Sequence, residues 1–228
     1  MPCQSAIAAI GPPPGEQAKD DVSATALHLR ALLQGSRAVR CVPASNMPEG
    51  CLDGCGLAYL SGSTLAGLRR AGRERLLRLI AGFRARGGLT AFDPHSDPAR
   101  LPDTHSLRQD CLAGYRACDI ALTDFAAGAC LFGDTTPEGC AFRIAALGAF
   151  EVVVRNAAGP VLLHSGGRQT RLPLPGPLPQ TGERFNAAWL AARLGGASAT
   201  EAVLAGYRFA AGPEDRPLAG IRGAFETQ

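Results

Sequence analysis

The stretch Thr181-Gly-Glu-Arg-Phe-Asn-Ala-Ala-Trp-Leu-Ala-Ala-Arg-Leu194 decides the fold, because a glycine-bearing turn runs directly into a helical pattern. Its apolar residues recur at helical spacing: Phe185, Ala188, Trp189 and Ala192. This spacing predicts an amphipathic helix that packs against a sheet. The unpaired N–H groups of its first turn, next to a glycine, suit an anionic group such as phosphate. An ordinary entry from a loop into a helix explains the same local features.

Short apolar runs alternate with helical patterns along the rest of the chain. The runs lie near Ile7, Val39, Leu57, Leu89, Ile120, Val152 and Leu162, and the helical patterns cover residues 21–34, 65–82, 126–132 and 138–147. Runs of strand length that alternate with helices indicate parallel βαβ units covered on both faces. The sequence therefore predicts a three-layer α/β domain with a mostly parallel sheet.

Length and charge set broad bounds on the function. The 228 residues suit one domain over 1–228, and a net charge of +3 gives no argument for nucleic acid. No apolar run approaches the roughly 20 residues of a membrane span, and the start of the chain lacks the basic residues of a signal peptide. We therefore expect a cytoplasmic protein without nucleic-acid or membrane partners.

The eight cysteines predict neither disulfides nor a metal site. In a chain expected inside the cell, cysteines more often serve as small buried residues than as disulfides. Cys51 and Cys55 form one close pair and Cys111 and Cys118 another, but neither is matched by a second pair at zinc-site spacing.

The helix from Phe185 to Leu194 resembles the helix that follows the signature turn of the ribokinase/PfkB carbohydrate kinases, in particular the 2-keto-3-deoxygluconate kinases. The family turn is roughly Asp-Thr-Thr-Gly-Ala-Gly-Asp-Ser/Ala-Phe-Asn-Ala, whereas this chain has Pro179-Gln-Thr-Gly-Glu-Arg-Phe-Asn-Ala. Gly182 matches the last glycine of the turn, and Glu183 stands where the catalytic aspartate would be. The helix is kept and the catalytic turn is altered.

The resemblance is close to continuous from Gly54 onwards. The matching segments fall in family order: Leu57-Ala-Tyr-Leu-Ser-Gly-Ser-Thr-Leu65, Ala91-Phe-Asp-Pro94, Asp119-Ile-Ala-Leu122, Leu131-Phe-Gly-Asp134 and Glu151-Val-Val-Val154. The resemblance implies a ribokinase-like fold, with Mg-ATP as cofactor and a sugar acid as the substrate that is phosphorylated. Residues 12–20 and 43–54 are too short for the lid strands of active members, so we expect the lid to be largely absent.

The substrate side of the implied site departs from the family. Ala91-Phe-Asp-Pro-His-Ser-Asp-Pro98 resembles a family segment, Phe-Asp-Pro-Asn-Tyr-Arg-Pro, whose arginine helps to hold the anionic sugar acid. Asp97 takes the place of that arginine and His95 takes the place of the asparagine, so a carboxylate substrate would be repelled. The resemblance makes Asp93, His95 and Asp97 the substrate-side candidates. Asp93 and His95 also suit an acid/base or metal pair, or simply a polar loop after a buried strand.

The metal side and the nucleotide side depart as well. Ala126, Ala127 and Gly128 stand where the family has an acidic cluster, and Asp124 suits a helix cap. After Val154, the family has a glycine turn beside the nucleotide, in which Ala157 and Pro160 replace both glycines. The nucleotide or phosphate candidates that remain are Arg155, Asn156, Thr181, Gly182 and Gly223 in the C-terminal segment.

These departures predict a kinase relative with impaired or lost activity. Glu183 is the candidate base, although an exposed glutamate favoured by the helix dipole is an equally good interpretation. We expect weak or absent nucleotide binding, and any pocket should lie between residues 93–97 and 181–183. Two alternatives stay open: a non-catalytic pseudokinase that binds a small ligand or regulates, and an enzyme with new chemistry on Asp93, His95 and Glu183. A homodimer through the edge that a missing lid would expose is also left open.

Overall fold

A single eight-stranded sheet forms the middle layer of the computed structural model, which describes residues 6–11, 21–33, 37–94, 104–157, 159–178 and 182–212. The strands are β1 (Ala6–Gly11), β2 (Val39–Pro43), β3 (Cys55–Ser61), β4 (Leu89–Asp93), β5 (Ile120–Asp124), β6 (Glu151–Arg155), β7 (Val161–Ser165) and β8 (Arg168–Leu172). Their spatial order is β2-β1-β3-β4-β5-β6-β7-β8, in which the pairs from β2 to β6 are parallel and the last two pairs are antiparallel. The predicted mostly parallel sheet is confirmed.

Helices cover both faces of this sheet. They are α1 (Asp21–Leu32), α2 (Gly62–Ala66), α3 (Arg70–Ala85), α4 (Thr104–Ala117), α5 (Phe125–Phe132), α6 (Pro137–Ala145), α7 (Gly182–Leu194) and α8 (Ala199–Ala210). Helices α1, α7 and α8 pack on one face, and α2 to α6 pack on the other. Along β3, Leu57 and Tyr59 enter the first layer, while Ala58 and Leu60 enter the second. A strand buried on both faces gives a continuous apolar run, which is why the sequence pattern located it.

The hairpin of β7 and β8 was not fully predicted. The sequence pattern located β7 but not β8, whose residues are mostly exposed. Gly166 and Gly167 connect the two strands with φ of 58° and 76°. Positive φ at both positions is the mark of the two-residue turns that suit the twist of a hairpin. The Gly-Gly pair was therefore an available signal for β8.

Two helical segments differ from the prediction. The pattern over 65–82 corresponds to two helices, because α2 ends at Ala66 and α3 begins at Arg70. Helix α4 was missed altogether. In the second predicted short loop, 43–54, Pro43 ends β2 and residues 44–54 contain a short 3₁₀ helix (Ala44–Asn46) and turns but no strand, and Met47 and Leu52 are buried against the core. The first predicted short loop, 12–20, lies outside the described residues.

The prediction that α7 is an amphipathic helix is wrong. Every residue from 184 to 192 is buried, because the sheet lies beneath the helix and α1 and α8 pack along its flanks. The pattern of Phe185 and Trp189 located the helix correctly, but the small alanines on its other sides also face protein. A helix that is buried on all sides has other elements of the protein packed around it and no face towards solvent.

The cysteines are less uniformly buried than predicted. Among the described residues, Cys111, Cys118 and Cys140 are buried, whereas Cys41 and Cys130 are exposed. All seven described cysteines are free thiols. None of the described helices is long and apolar enough to cross a membrane.

Candidate functional site

The carboxyl ends of the parallel strands bring several polar side chains to one edge of the sheet. Strand pairing places Ser61 beside Asp93 and Asp124 beside Arg155. The strand order reverses between β1 and β3, and sheets of this type bind ligands outside the carboxyl ends at such a point. Helix α7 begins with Gly182. The beginning of the helix lies at the same edge of the sheet, since the guanidinium of Arg155 donates a hydrogen bond to the carbonyl oxygen of Gly182.

Arg155 is the centre of a buried polar network at this edge. Its guanidinium makes a bidentate pair with Asp124, with distances of 3.0 Å from Nε to Oδ1 and 2.9 Å from Nη2 to Oδ2. Nη1 donates to the carbonyl oxygen of Gly182 at 2.8 Å and to Oδ1 of Asn186 at 2.7 Å. Nη2 also lies 3.8 Å from Oδ1 of Asp93. Burial alone would lower the pKa of Arg155, but the carboxylates of Asp124 and Asp93 raise it well above its usual value.

Asp93 is held by two further donors. Nδ2 of Asn186 donates to its Oδ2 at 2.5 Å, and the hydroxyl of Tyr59 donates to the same oxygen at 3.4 Å. All three side chains are buried. Burial, followed by the charge of Asp93, raises the pKa of Tyr59 well above its usual value, so the phenol remains a donor. Asp93 therefore serves as an internal anchor for α7.

Gly182 is required by this network. A Cβ at this position would lie 2.7 Å from Nη1 of Arg155 and 3.0 Å from its Cζ, so the guanidinium occupies the space that a side chain would need. A cation at the beginning of a helix is unfavourable for the helix dipole. Here the carboxylates of Asp93 and Asp124 offset that effect.

The predicted nucleotide residues have different placements. The guanidinium of Arg155 is surrounded by two carboxylates, a carbonyl and an amide oxygen, so binding of a phosphate would require some of these contacts to break. Asn156 is half-buried at the end of β6. Thr181 and Gly223 lie outside the described residues, as do His95 and Asp97 on the substrate side. Their predicted roles stay predictions.

Glu183 lies half-buried in the first turn of α7. Burial and then the charge of Arg184 lower the pKa of His28 on α1, and the charge of Glu183 opposes this in part. Arg184 is turned towards the end of α8, where Nη2 donates to the carbonyl oxygen of Phe209 at 2.9 Å. Glu183 is therefore close enough to α1 to influence its histidine.

Residues 126–128 stand where the resembling family has acids on the metal side, and two of these three positions are buried. Ala127 and Gly128 are buried, and a Cβ on Gly128 would lie 2.7 Å from Oδ2 of Asp134, so of the three positions only Ala126 is exposed. Asp124 stands at the cap position of α5, but its side chain makes no capping hydrogen bond, and its carboxylate binds Arg155 instead. The described residues contain no group of three or more metal-ligating side chains.

A cavity of about 510 Å³ lies beside the turn after β6. It is lined by Ala157, Gly159, Pro160, Pro173, Leu174, Gly176 and Pro177. The pocket predicted between residues 93–97 and 181–183 includes residues outside those described, so it stays a prediction. The observed cavity lies instead beside residues 157–160, which the resemblance places next to the nucleotide.

Two features of this edge have no counterpart among the predictions from the sequence. One is the pairing of Asp124 with Arg155, which lie 31 positions apart. The other is a set of three hydroxyl groups on Ser61, Ser63 and Thr64 at the end of β3. The hydroxyl set had a local signal, because Ser-Gly-Ser-Thr follows directly after a buried strand.

Comparisons with known proteins agree with this architecture. No family model matches the sequence. The chain is 31% identical to a 2-dehydro-3-deoxygluconokinase of Dickeya dadantii over 158 residues, which cover 65% of this chain and 51% of that protein. The chain thus spans about half the length of the curated relatives it matches.

Two solved structures share the fold over nearly the whole chain. A PfkB protein from Polaromonas sp. JS666 has a TM-score of 0.75 and 18% identity, covering 98% of this chain and 100% of that one. A putative ribokinase II from E. coli, in complex with ATP and Mg²⁺, has a TM-score of 0.69 and 17% identity, covering 97% and 98% of the two chains.

Proposed function

Because the chain is a relative of the ribokinase/PfkB carbohydrate kinases and has their fold, we propose that it is a sugar-binding protein of this type in which phosphoryl transfer from Mg-ATP to a sugar acid is weak or lost. Transfer of a phosphoryl group needs a base near the accepting hydroxyl and positive or N–H groups around the transferred charge. The residues at the carboxyl edge of the sheet supply these poorly.

The charge balance of this edge carries the proposal. The charged side chains of the network are two acids, Asp93 and Asp124, and one cation, Arg155, while Glu183 and Arg184 in the first turn of α7 add one charge of each sign. Arg155 is buried and already paired with both acids of the network, so the group has a net negative charge. An anionic nucleotide and an anionic sugar acid would both meet unfavourable electrostatics here.

The candidate base adds a geometric difficulty. Glu183 carries one more methylene than the aspartate of the resembling turn, so its carboxylate would overshoot the hydroxyl by about an ångström, which costs on the order of a hundredfold in rate. The buried placement of Ala127 and Gly128 also leaves little room for acids on the metal side. These losses act on different requirements of the reaction, so none compensates for another.

The apolar cavity favours a second candidate function. Its lining of alanine, leucine, glycine and proline is apolar and open to solvent, with Ala157, Pro160, Pro173 and Pro177 exposed, and it places no catalytic group against a bound molecule. We propose as the alternative a non-catalytic pseudokinase that binds a small ligand or regulates another protein. Under this alternative, ligand binding would persist in variants of Glu183.

A coupled ADP-release assay with MgATP and 2-keto-3-deoxygluconate tests the proposal. We expect turnover far below about one per second, the lower end for kinases. Glu183→Asp restores the shorter acid and Glu183→Gln removes the charge, so residual activity should rise in the first and vanish in the second. Wild-type turnover near one per second that disappears in Glu183→Gln would refute the proposal and establish Glu183 as the base.

Nucleotide binding provides an independent test. Ala157 and Pro160 restrict the backbone turn on the nucleotide side, and the edge is acidic, so we expect weak or undetectable binding of MgATP in calorimetry. A micromolar dissociation constant would show that the turn and the charges do not prevent nucleotide binding.

A further inference from the structure

Two cysteines flank a tight turn at the amino end of β3, away from the carboxyl edge of the sheet. Cys55 is the first residue of β3, and Cys51 precedes it by four positions. The N–H of Cys55 donates to the carbonyl oxygen of Leu52 at 3.1 Å, which closes the turn. Gly54 has a φ of 71°, a conformation that glycine adopts without a steric cost. The segment therefore folds back on itself between the two thiols.

The turn holds the two thiols near each other. Its first and last Cα atoms, those of Leu52 and Cys55, lie within about 7 Å of each other, and Cys51 directly precedes Leu52. Both cysteines are half-buried and pack against the same core cluster. Burial raises the pKa of the Cys51 thiol, and the charge of Cys55 adds to this effect. The arrangement is compatible with the roughly 4.4–6.8 Å between Cα atoms that a disulfide requires, although both thiols are free.

A cation in contact with Cys55 distinguishes the two sulfurs. Nη2 of Arg40, on β2, donates to Sγ of Cys55 at 2.6 Å and to the carbonyl oxygen of Asp53 at 2.5 Å. A guanidinium has donors only, so the sulfur is the acceptor in this contact. Reactive cysteines are partly exposed thiols with a cation nearby, because the thiolate is the attacking species. Cys55 has both features, so we expect it to attack first and Cys51 to react second.

We propose that Cys51 and Cys55 are a modification site, at which hydrogen peroxide converts the two thiols into an intramolecular disulfide. The sulfur of Cys55 attacks one peroxide oxygen, the O–O bond breaks, and one water leaves, so that Cys55 becomes a sulfenic acid. The sulfur of Cys51 then attacks the sulfur of Cys55, the S–O bond breaks, and a second water leaves. Two thiols lose two electrons and two protons in total, and the peroxide is reduced to two waters. The site is separate from the carboxyl edge, so this inference does not depend on the proposed function.

Digestion between the two cysteines detects the disulfide. The full chain is reduced, freed of reductant and treated with hydrogen peroxide without denaturant, and the remaining thiols are blocked with iodoacetamide. Trypsin cleaves after Arg40 and Arg69, and endoproteinase Asp-N cleaves before Asp53, so residues 41–52 and 53–69 form separate peptides unless a disulfide joins them. We expect mass spectrometry to find the joined pair, lighter by two hydrogen atoms than the two reduced peptides together. Dithiothreitol should separate it again.

Four variants assign the partners and their roles. Cys41→Ser should keep the disulfide, although residue 41 lies in the same peptide as Cys51. Cys51→Ser should lose the disulfide and accumulate sulfenic acid at Cys55, which dimedone labels. Arg40→Gln should slow formation of the disulfide roughly threefold to tenfold, because it removes one positive charge beside the attacking sulfur. Arg168→Gln, on the exposed strand β8 at the other edge of the sheet, should react as fast as the wild type.

Several outcomes would overturn this inference. The two peptides could remain separate while the exposed Cys130 is oxidised, the disulfide could form only in urea, or it could disappear in Cys41→Ser. Equal rates in Arg40→Gln and Arg168→Gln would contradict the role of the cation at Cys55. The wild type and Cys41→Ser decide whether the disulfide forms, so the test holds even if Cys51→Ser fails to fold.

Discussion

Nη1 of Arg155 donates a 2.8 Å hydrogen bond to the carbonyl oxygen of Gly182, 27 positions further along the chain. This contact joins the last residue of β6 to the first residue of α7. The guanidinium can approach so closely because residue 182 has no side chain. The beginning of α7 is therefore fixed by the sheet, and changes at either residue should be transmitted to the other.

Gly182→Ala should destabilise the protein by about 1–3 kcal/mol, because the new methyl would lie 2.7 Å from Nη1 of a buried and fully bonded arginine. Gly82→Ala is the matched control, since its nearest neighbour would be the flexible side chain of Arg86 at 3.5 Å within α3. That variant should be neutral or more stable by about 0.5–1 kcal/mol. Urea unfolding measures both, and equal effects would contradict the proposed packing.

Arg155→Met should cost about 3–5 kcal/mol of unfolding free energy, because it leaves the buried carboxylate of Asp93 without its cation. Adding Asp93→Asn should recover part of the loss, since no buried charge then remains unpaired. The exposed pair of Arg171 with Glu138 provides a contrast, and Arg171→Met should change stability little. If the two single arginine variants unfold at the same urea concentration, Arg155 does not neutralise a buried charge.

His28 should make the protein less stable in mild acid. Burial, followed by the charge of Arg184, lowers the pKa of His28 below its ordinary value of 6.5, while Glu183 opposes this in part. Between the lowered value and 6.5 the unfolded chain binds more protons than the folded one, so stability decreases as the pH falls through this window. His28→Gln should flatten that part of the curve of unfolding free energy against pH.

The measurement is urea unfolding at a series of pH values, with the wild type and His28→Gln compared at the same ionic strength. A slope that is unchanged in His28→Gln would assign the acid sensitivity to other groups.

Cysteine alkylation should separate the described thiols into classes. Cys41 and Cys130 are exposed and should react in the native protein, whereas Cys111, Cys118 and Cys140 are buried and should react only after unfolding. Burial, followed by the charge of Asp134, raises the pKa of Cys140 to about 12, which further reduces its thiolate fraction. Peptide mass spectrometry after iodoacetamide treatment, with and without urea, gives the pattern. Rapid native labelling of Cys140 would contradict its placement.

Most of the fold could be predicted because parallel strands covered on both faces leave continuous apolar runs. The runs at Leu57 and Val152 are of this kind, and both lie in the sheet as expected. Strand β8 was missed because its residues are exposed and polar, so the run lacks an apolar signal. Helix α4 was missed because Arg108, Asp110 and Arg116 interrupt its apolar pattern, although Leu107 and Tyr115 are buried.

The site was less predictable than the fold. Asn186 was located in the right helix, but its hydrogen bond to Asp93 joins residues 93 positions apart, and no local spacing encodes such a contact. Arg155 was predicted to face a nucleotide, because the sequence alone does not show that Asp124 would lie beside it. The burial of Ala127 and Gly128 likewise depends on the packing of α5 against α6.

The burial of α7 on all sides has a consequence for how this chain acquires its structure during synthesis. Helix α7 covers the face of the sheet that α1 also covers, and Arg37 donates to the carbonyl oxygen of Leu194, 157 positions later. The part of this apolar face that α1 does not cover therefore stays open while most of the chain is already outside the ribosome. Such late, long-range contacts slow folding and leave apolar surface open to aggregation in the meantime. We expect the nascent chain to depend on chaperones until residues 182–194 have emerged.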